Sequence, residues 1–320
     1  LDDLRLTFSD TVFENTPALD IDLLGRLKSA DKSSVSAKAQ ISYNAPEQKI
    51  RLRLRDASFP VAGIKIEKPT ADISIYGLKT AEGSLEIAKI ESTATPPLFT
   101  PLRFKASLHS LSSQKDAIGI KLDVTGQNGA LAVTGSGRHD LAANKGSLKI
   151  SLAPLVMKIG VYELKDFIPV SAKHVSDTEG SIAANANIAW AKSAKGWALT
   201  SQRASVLLRD VGASYGDFPA KGINGVIEIE NLMPLTFKDQ QIALGAFTAG
   251  LPLQNGLFTL GLDKGKTLSL TNGRMEMAGG IMTVAPFSLD LNKPQGNITL
   301  TAASLDLQEL FKMSPLEGLS

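Results

Sequence analysis

The chain has 320 residues, 43% of them hydrophobic, with 34 Lys plus Arg against 32 Asp plus Glu and a net charge of +2. That hydrophobic content supports a buried core, and the near-neutral balance excludes the concentrated basic surface of a dedicated nucleic-acid binder. Aromatics make up only 6% and cysteines are absent, which excludes disulfide frameworks, thiolate metal sites and cysteine nucleophiles.

Period-two alternation dominates from the first third onward. Ile50, Leu52 and Leu54 face away from Lys49, Arg51, Arg53 and Arg55. This basic row reads as a solvated strand face that also discourages edge pairing, with contact to anionic lipid headgroups as the alternative. Phe104, Ala106 and Leu108 alternate with Arg103, Lys105 and Ser107. Ile118, Ile120, Leu122 and Val124 alternate with Lys121, Asp123 and Thr125, and Leu148, Ile150 and Leu152 repeat the pattern. The most apolar stretch, Leu152 to Val170, is interrupted by Lys158, Glu163, Lys165 and Asp166, short of the roughly 18 uninterrupted apolar residues of a membrane helix.

A short helix is predicted over Val161 to Phe167, stopped by Pro169, and another over Leu307 to Met313, stopped by Pro315. Between them, alternation returns at Ile182 to Trp190, including Ile188, at Ile227 and Ile229 between Glu228 and Glu230, at Leu268 and Leu270, at Leu289 and Leu291, and at Ile298 and Leu300. Turns are predicted at Gly126-Gln-Asn-Gly129, Asn144-Lys-Gly146, Asn255-Gly256, Lys264-Gly265, Asn272-Gly273 and Pro294-Gln-Gly296. About eighteen strands follow from these signals, each with one dry face, as in antiparallel sheets. A composition shift near Ala153 to Thr178 divides residues 1–155 from 156–320, two sections expected to form one continuous sheet. The start at Leu1 and the stop at Ser320 read as limits of a piece of a longer protein.

Several motifs imitate catalytic sites. Gly212-Ala-Ser-Tyr-Gly216 has the spacing of a nucleophile elbow, but Asp217-Phe-Pro-Ala-Lys-Gly222 breaks the helix that must follow, and no histidine lies after His174. Gly265-Lys266-Thr267 imitates the end of a phosphate loop, but Leu260 stands where the glycine belongs. His109, His139 and His174 lack the close spacing of metal ligands. Neither a cofactor, a metal nor a catalytic residue is expected, and the chain reads as a non-enzymatic protein.

A one-sided sheet must cover its apolar face. A sandwich, a closed barrel and an open groove filled from outside all satisfy the pattern. The ordered series Asn231-Leu-Met-Pro-Leu235, Gln240-Gln-Ile242, Ala249-Gly-Leu-Pro-Leu253, Asn255-Gly256, Gly279-Gly280, Ala285-Pro-Phe-Ser-Leu-Asp290, Leu305-Asp-Leu307 and Gly318-Leu-Ser320 resembles the YdbH-like family. That family looks related to the AsmA and TamB groups of repeating β-groove proteins. Asp166-Phe-Ile-Pro169, Glu179-Gly180 and Trp190 fit the same pattern. The resemblance spans Leu164 to Ser320 and is architectural over Leu1 to Leu155.

The resemblance implies a mainly β fold, a long antiparallel sheet curled into an open hydrophobic groove with one or two short helices. It implies intermembrane phospholipid transport across the periplasm, an inner-membrane anchor in a segment not included here, and a small outer-membrane lipoprotein as partner. A scaffold that accepts a partner protein's β-strand is the alternative. The family's other label, dicarboxylate transport, fits poorly, since the chain shows no multi-span membrane domain and no convergent arginine pocket. The expected groove lining is Ile50, Leu52, Leu54, Phe104, Leu108, Ile118, Ile120, Leu122, Leu148, Ile150, Ile188, Ile227, Ile229, Leu268, Leu270, Leu289, Leu291, Ile298 and Leu300. Moving two lipid tails of about 30 methylenes into water costs on the order of 24 kcal/mol. An aliphatic groove removes most of that cost, and about eighteen strands provide roughly 85 Å of it.

Overall fold

The computed structural model describes residues 3–13, 16–26, 34–44, 48–61, 63–76, 80–111, 116–126, 129–194, 196–248, 251–293 and 297–313, with side chains described for 48–54 and for those from 63 to 310. The predicted turn at Pro294-Gln-Gly296 lies outside these residues, as do Gln127 and Asn128, Pro315, Gly318-Leu-Ser320 and the Arg55 side chain.

The alternating segments form strands, except that Leu291 lies in the turn after the strand of Leu289 and Ile298 precedes the strand that begins at Leu300. In chain order they are β1 (Asp3–Phe13), β2 (Thr16–Arg26), β3 (Ser34–Asn44), β4 (Lys49–Val61), β5 (Ile64–Tyr76), β6 (Thr80–Ser92), β7 (Leu102–Ser110), β8 (Ala117–Gly126), β9 (Ala132–Asp140) and β10 (Lys145–Met157). Then follow β11 (Ser176–Ser193), β12 (Gly196–Tyr215), β13 (Phe218–Ile229), β14 (Asn231–Leu232), β15 (Leu235–Thr248) and β16 (Pro252–Asp263). The last are β17 (Thr267–Met277), β18 (Gly280–Val284), β19 (Phe287–Asp290) and β20 (Leu300–Ala303), before a single helix α1 (Leu307–Met313), where the sequence predicts one. The fold is mainly β, as expected.

Two compact units divide the chain. Unit 1 holds Leu1–Ala153, Phe167–Val170 and Ile188–Thr200; unit 2 holds Pro154–Asp166, Ser171–Asn187 and Ser201–Ser320.

In unit 1 each strand from β1 to β10 pairs antiparallel with the next. The registers turn local alternation into rows that cross the strands. Leu52 lies opposite Ile73, which is followed across the sheet by Gly83, Leu108, Ile120, Gly137 and Leu148. The neighbouring row is Leu54, Ala71, Leu85, Ala106, Leu122, Gly135 and Ile150. Directly opposed residues share a face, so both rows stand on one side. The opposite side carries Arg53, Asp72, Ser84, Ser107, Lys121, Ser136 and Lys149.

The basic row of β4 is partly offset within the sheet by one carboxylate and one aromatic ring. Arg51 donates to both carboxylate oxygens of Asp72 at 2.8 and 2.6 Å, Arg53 lies 3.5 Å from the same carboxylate, and the Lys49 ammonium sits 5.1 Å from the centre of the Tyr76 ring. On the other face Leu52, Leu108, Ile120 and Leu148 are half-buried.

Between β10 and β11 the predicted helix over Val161 to Phe167 gives way to a single 3-10 turn, Leu164–Asp166, and Pro169 opens a second, Pro169–Lys173, instead of stopping the first. Side chains cap the amides that would begin a longer helix. Glu163 N–H donates to Asp166 Oδ2 at 2.8 Å and Leu164 N–H to Thr178 Oγ1 at 2.6 Å.

In unit 2, β13 pairs with β12 and β15, β15 with β16, and β16 with β17, all antiparallel. β17 carries β19 on its first half and β18 on its second, and β20 adds to β18. The most compact core lies here: Leu253, Met275 and Met282, with Leu244, Phe247, Phe258 and Met277 packed against them.

Candidate functional site

The sheet of unit 2 is kinked along one line. In a regular strand, residues of one parity share a face. An extra residue reverses the parity beyond it. In β12 that residue is Asp210, with φ of 47°, where the register with β13 shifts between Leu208 and Val211. In β13 it is Gly222, with φ of 67°, and in β16 it is Asn255, with φ of 49°, where the register shifts between Gln254 and Leu257. Gly245 of β15 lies against Gly222: a Cβ built on Gly222 would sit 3.2 Å from the Gly245 Cα. Left-handed backbone suits glycine and is tolerated by Asp and Asn.

The kink is held by Asn224. Asp210 N–H donates to its Oδ1 at 2.9 Å, and its Nδ2 donates to Asp210 Oδ1 at 3.1 Å and to Gly222 O at 3.0 Å. Backbone groups that the bulge removes from the ladder thus regain partners.

Asn255-Gly256, predicted as a turn, is therefore a bulge inside β16. Asn272-Gly273, also predicted as a turn, lies inside β17, where a second register shift sets Leu260 opposite Leu270 and Phe258 opposite Gly273. Asn-Gly favours left-handed backbone, which serves hairpins and bulges alike. At Gly273 the missing side chain leaves room for the Phe258 ring, which a Cβ would approach to 3.0 Å.

These shifts bring residues of both parities to one side. Ala220 and Ile223, Leu244 and Phe247, Leu253 and Phe258, and Leu270 and Met275 all line a single cavity of ≈ 820 Å³. Every lining residue is aliphatic, aromatic or methionine, and the volume falls within the roughly 300–1,000 Å³ of ligand pockets. Ile298 and Leu300 also line it while 57% and 55% exposed, so they border its open side.

A smaller recess of ≈ 430 Å³ lies in unit 1. It is formed by Ile118, Ile120, His139, Trp190, Trp197, Ala198 and Leu199.

Of the residues expected to line a groove, Leu270, Ile298 and Leu300 meet at the unit 2 cavity, and Ile118 and Ile120 at the unit 1 recess. Leu52, Leu108, Ile120 and Leu148 share one row, and Leu54, Leu122 and Ile150 the next. Ile50 lies opposite Ile75, and Phe104 opposite Ile87 and Val124. Ile188 is half-buried on β11. Ile227 and Ile229 lie opposite Val206 and Ala204, and Leu268 opposite Leu262 and Leu289, outside the cavity lining. Leu291 stands 45% exposed in the turn after β19, its N–H donating to Lys266 O at 2.7 Å.

The structure also places the imitations of catalytic motifs. Ser214 lies in β12 opposite Pro219, at a hairpin with no helix behind it. Lys264 to Lys266 form the turn between β16 and β17. The His139 Nδ1 accepts a hydrogen bond from Trp190, and among the described residues no cluster of His, Asp and Glu fits a metal ion. No helix among the described residues is long and apolar enough to cross a membrane.

A family model matches residues 2–320 and is described as YdbH-like, intermembrane phospholipid transport protein YdbH. The chain belongs to the YdbH-like family. The match extends the resemblance seen from Leu164 onward across the N-terminal half. No curated protein and no solved structure matches the chain. Family membership places it among proteins of intermembrane phospholipid transport, with phospholipid as cargo and the cell envelope as setting.

Proposed function

We propose that this YdbH-like chain is a non-enzymatic section of a lipid bridge whose apolar surfaces carry acyl chains between the inner and outer membranes. The observation that carries the reading is the ≈ 820 Å³ cavity of unit 2, lined only by apolar side chains. Such a surface is nearly equivalent to a bilayer interior, so an acyl chain enters without the transfer penalty of water, about 0.8 kcal/mol per methylene. Three methionines in the lining, Met275, Met277 and Met282, are unbranched and adaptable and suit chains of varied length and unsaturation.

The half-buried rows of unit 1, from Leu52 to Leu148 and from Leu54 to Ile150, offer the same chemistry on a regular sheet. The reading includes an anchor to the inner membrane and a small outer-membrane lipoprotein that acts with the bridge. The test is mass spectrometry of organic extracts from the purified protein. Co-purified phospholipid, lost on Leu270→Asp in folded protein, supports the reading. Folded wild-type protein without lipid, or with a peptide paired along a strand edge, overturns it in favour of a scaffold.

A further inference from the structure

The recess of unit 1 differs in kind from the cavity of unit 2, because it contains hydrogen-bonding groups. The chain has two tryptophans, and both line it. Trp190 Nε1–H donates to His139 Nδ1 at 3.1 Å, with the two ring planes 16° apart and their centres 6.1 Å apart. Trp197 tilts against the same imidazole at 5.4 Å and is 54% exposed. The indole of Trp190 lies over Gly146, where a Cβ would come within 2.3 Å of the ring.

An imidazole that accepts at Nδ1 is neutral, and its remaining proton is on Nε2. The recess therefore combines an aliphatic floor, Ile118 and Ile120, with a neutral N–H donor on His139 and a second on the Trp197 indole. Its lining contains no lysine or arginine. A phosphate would have to shed water there without a cation to replace it, which is unfavourable. A neutral acceptor has no such penalty. Tryptophan itself favours boundaries where one end is apolar and the other polar. Ile120 belongs to the apolar row that runs through Leu108 and Leu148, so the recess opens from the same face.

We propose that this recess is a station for the glycerol-ester region of a diacyl lipid. An ester carbonyl accepts from His139 Nε2–H, while the acyl chains lie on Ile118, Ile120 and the exposed Leu199. The proposal rests on the lipid-carrying reading above and adds to it the part of the lipid that unit 1 recognises.

Intrinsic fluorescence tests it, because all tryptophan emission comes from this recess. The full chain is mixed with vesicles of dioleoyl phosphatidylethanolamine and phosphatidylglycerol, brominated either beside the ester or at the chain terminus. Ester-side bromine quenches the emission more strongly than terminal bromine. Unlabelled diester lipid displaces the label about fivefold better than the diether lipid with the same headgroup, the value of one ordinary hydrogen bond. His139→Leu erases that preference while leaving the circular dichroism unchanged; if this variant fails to fold, the wild-type bromine profile and the diester-to-diether ratio decide alone. Equal or stronger quenching from the terminus, or an ester preference that survives His139→Leu, overturns the station. If phospholipid is extracted from the protein but no label quenches it, the station falls and the unit 2 reading stands. If no phospholipid is extracted at all, both fall.

Discussion

The two units use the same alternation and reach different surfaces. In unit 1 the rows through Leu52 and Leu54 keep their parity from β4 to β10, and the apolar side chains stay half-buried. In unit 2 the parity reverses at Asp210, Gly222 and Asn255, and residues from both sides of the reversals at Gly222 and Asn255 face one cavity. Where the register shifts lie outside the rows, between Ser36 and Lys38 and between Ile87 and Ile90, the apolar face stays regular; in unit 2 a line of bulges makes a container.

The sharpest test of that contrast is a carboxylate placed in each surface. Met275 is 2% exposed and belongs to the most compact core. Met275→Asp buries an unpaired charge, costs several kcal/mol and lowers the melting temperature of the protein steeply. Ile120 is half-buried on a solvated sheet, so Ile120→Asp costs about 1–2 kcal/mol and the protein still accumulates, with less lipid in its extract. The controls Lys121→Asp and Thr271→Asp, both exposed, leave stability and lipid content unchanged. Equal losses from Met275→Asp and Ile120→Asp would dissolve the distinction between the units.

Unit 1 was legible in the sequence because its register shifts, between Ser36 and Lys38 and between Ile87 and Ile90, fall outside the rows: Ile50, Leu52 and Leu54 announce the face in five residues. The hairpin at Lys264-Gly265 and the helix from Leu307 were legible for the same local reason. The cavity was not. Leu268 and Leu270 alternate as expected, but the shift that follows in β17 sends Gly273, Met275 and Met277 to the same side in the opposite parity. A period-two reading follows only one of those sets. The available signal was residues prone to left-handed backbone in mid-strand, Asp210, Gly222 and Asn255, whose meaning depends on neighbours far away in sequence. The predicted helix at Val161 to Phe167 shortens to a 3-10 turn because the Tyr162 carbonyl, which a longer helix would offer to Asp166 N–H, accepts instead from Lys158 N–H, and Asp166 N–H turns to the Glu163 carbonyl; hydrophobic period alone does not announce that bridge.

Filling the container is the next test. Gly273→Val places branched carbon where a Cβ already approaches the Phe258 ring and Val284 Cβ at 3.0 Å. Overpacking costs about 1–3 kcal/mol, and the displaced Phe258 ring narrows the cavity. Lipid recovered per protein falls, while quenching of Trp190 and Trp197 in unit 1 is unchanged. A Gly273→Val protein with full lipid content would show that the cavity is not where the lipid sits. Loosening the container gives a smaller effect. Asn224→Ala removes three hydrogen bonds that hold Asp210 and Gly222, and costs about 1–2 kcal/mol in denaturant unfolding. Unit 1 has no counterpart to this clamp among the rows through Leu52 and Leu54, so hydrogen exchange should accelerate in β12 and β13 and stay unchanged in β7 to β9.

The smallest effect belongs to the polar face of unit 1. Hydrogen bonding from the Arg51 guanidinium holds the Asp72 carboxyl below the usual carboxylate range, against the upward pull of desolvation. A carboxylate whose pKa is lowered by folding stabilises the fold above its unfolded value, near pH 4. That contribution disappears as pH falls through the lower folded value. Both side chains are more than a third exposed, at 38% and 43%, so solvent screening limits the gain to less than about 1 kcal/mol, and added salt reduces it further. Asp72→Asn removes the charge at every pH. Its deficit in stability relative to the wild type is therefore largest above pH 4 at low salt and shrinks as the wild-type carboxyl protonates. Paired thermal melts between neutral pH and pH 2 measure that difference directly. A deficit that stays constant down to pH 2 would assign the contact to packing and neutral hydrogen bonding, and the basic row of β4 would then owe its place to something other than the charge it meets on β5.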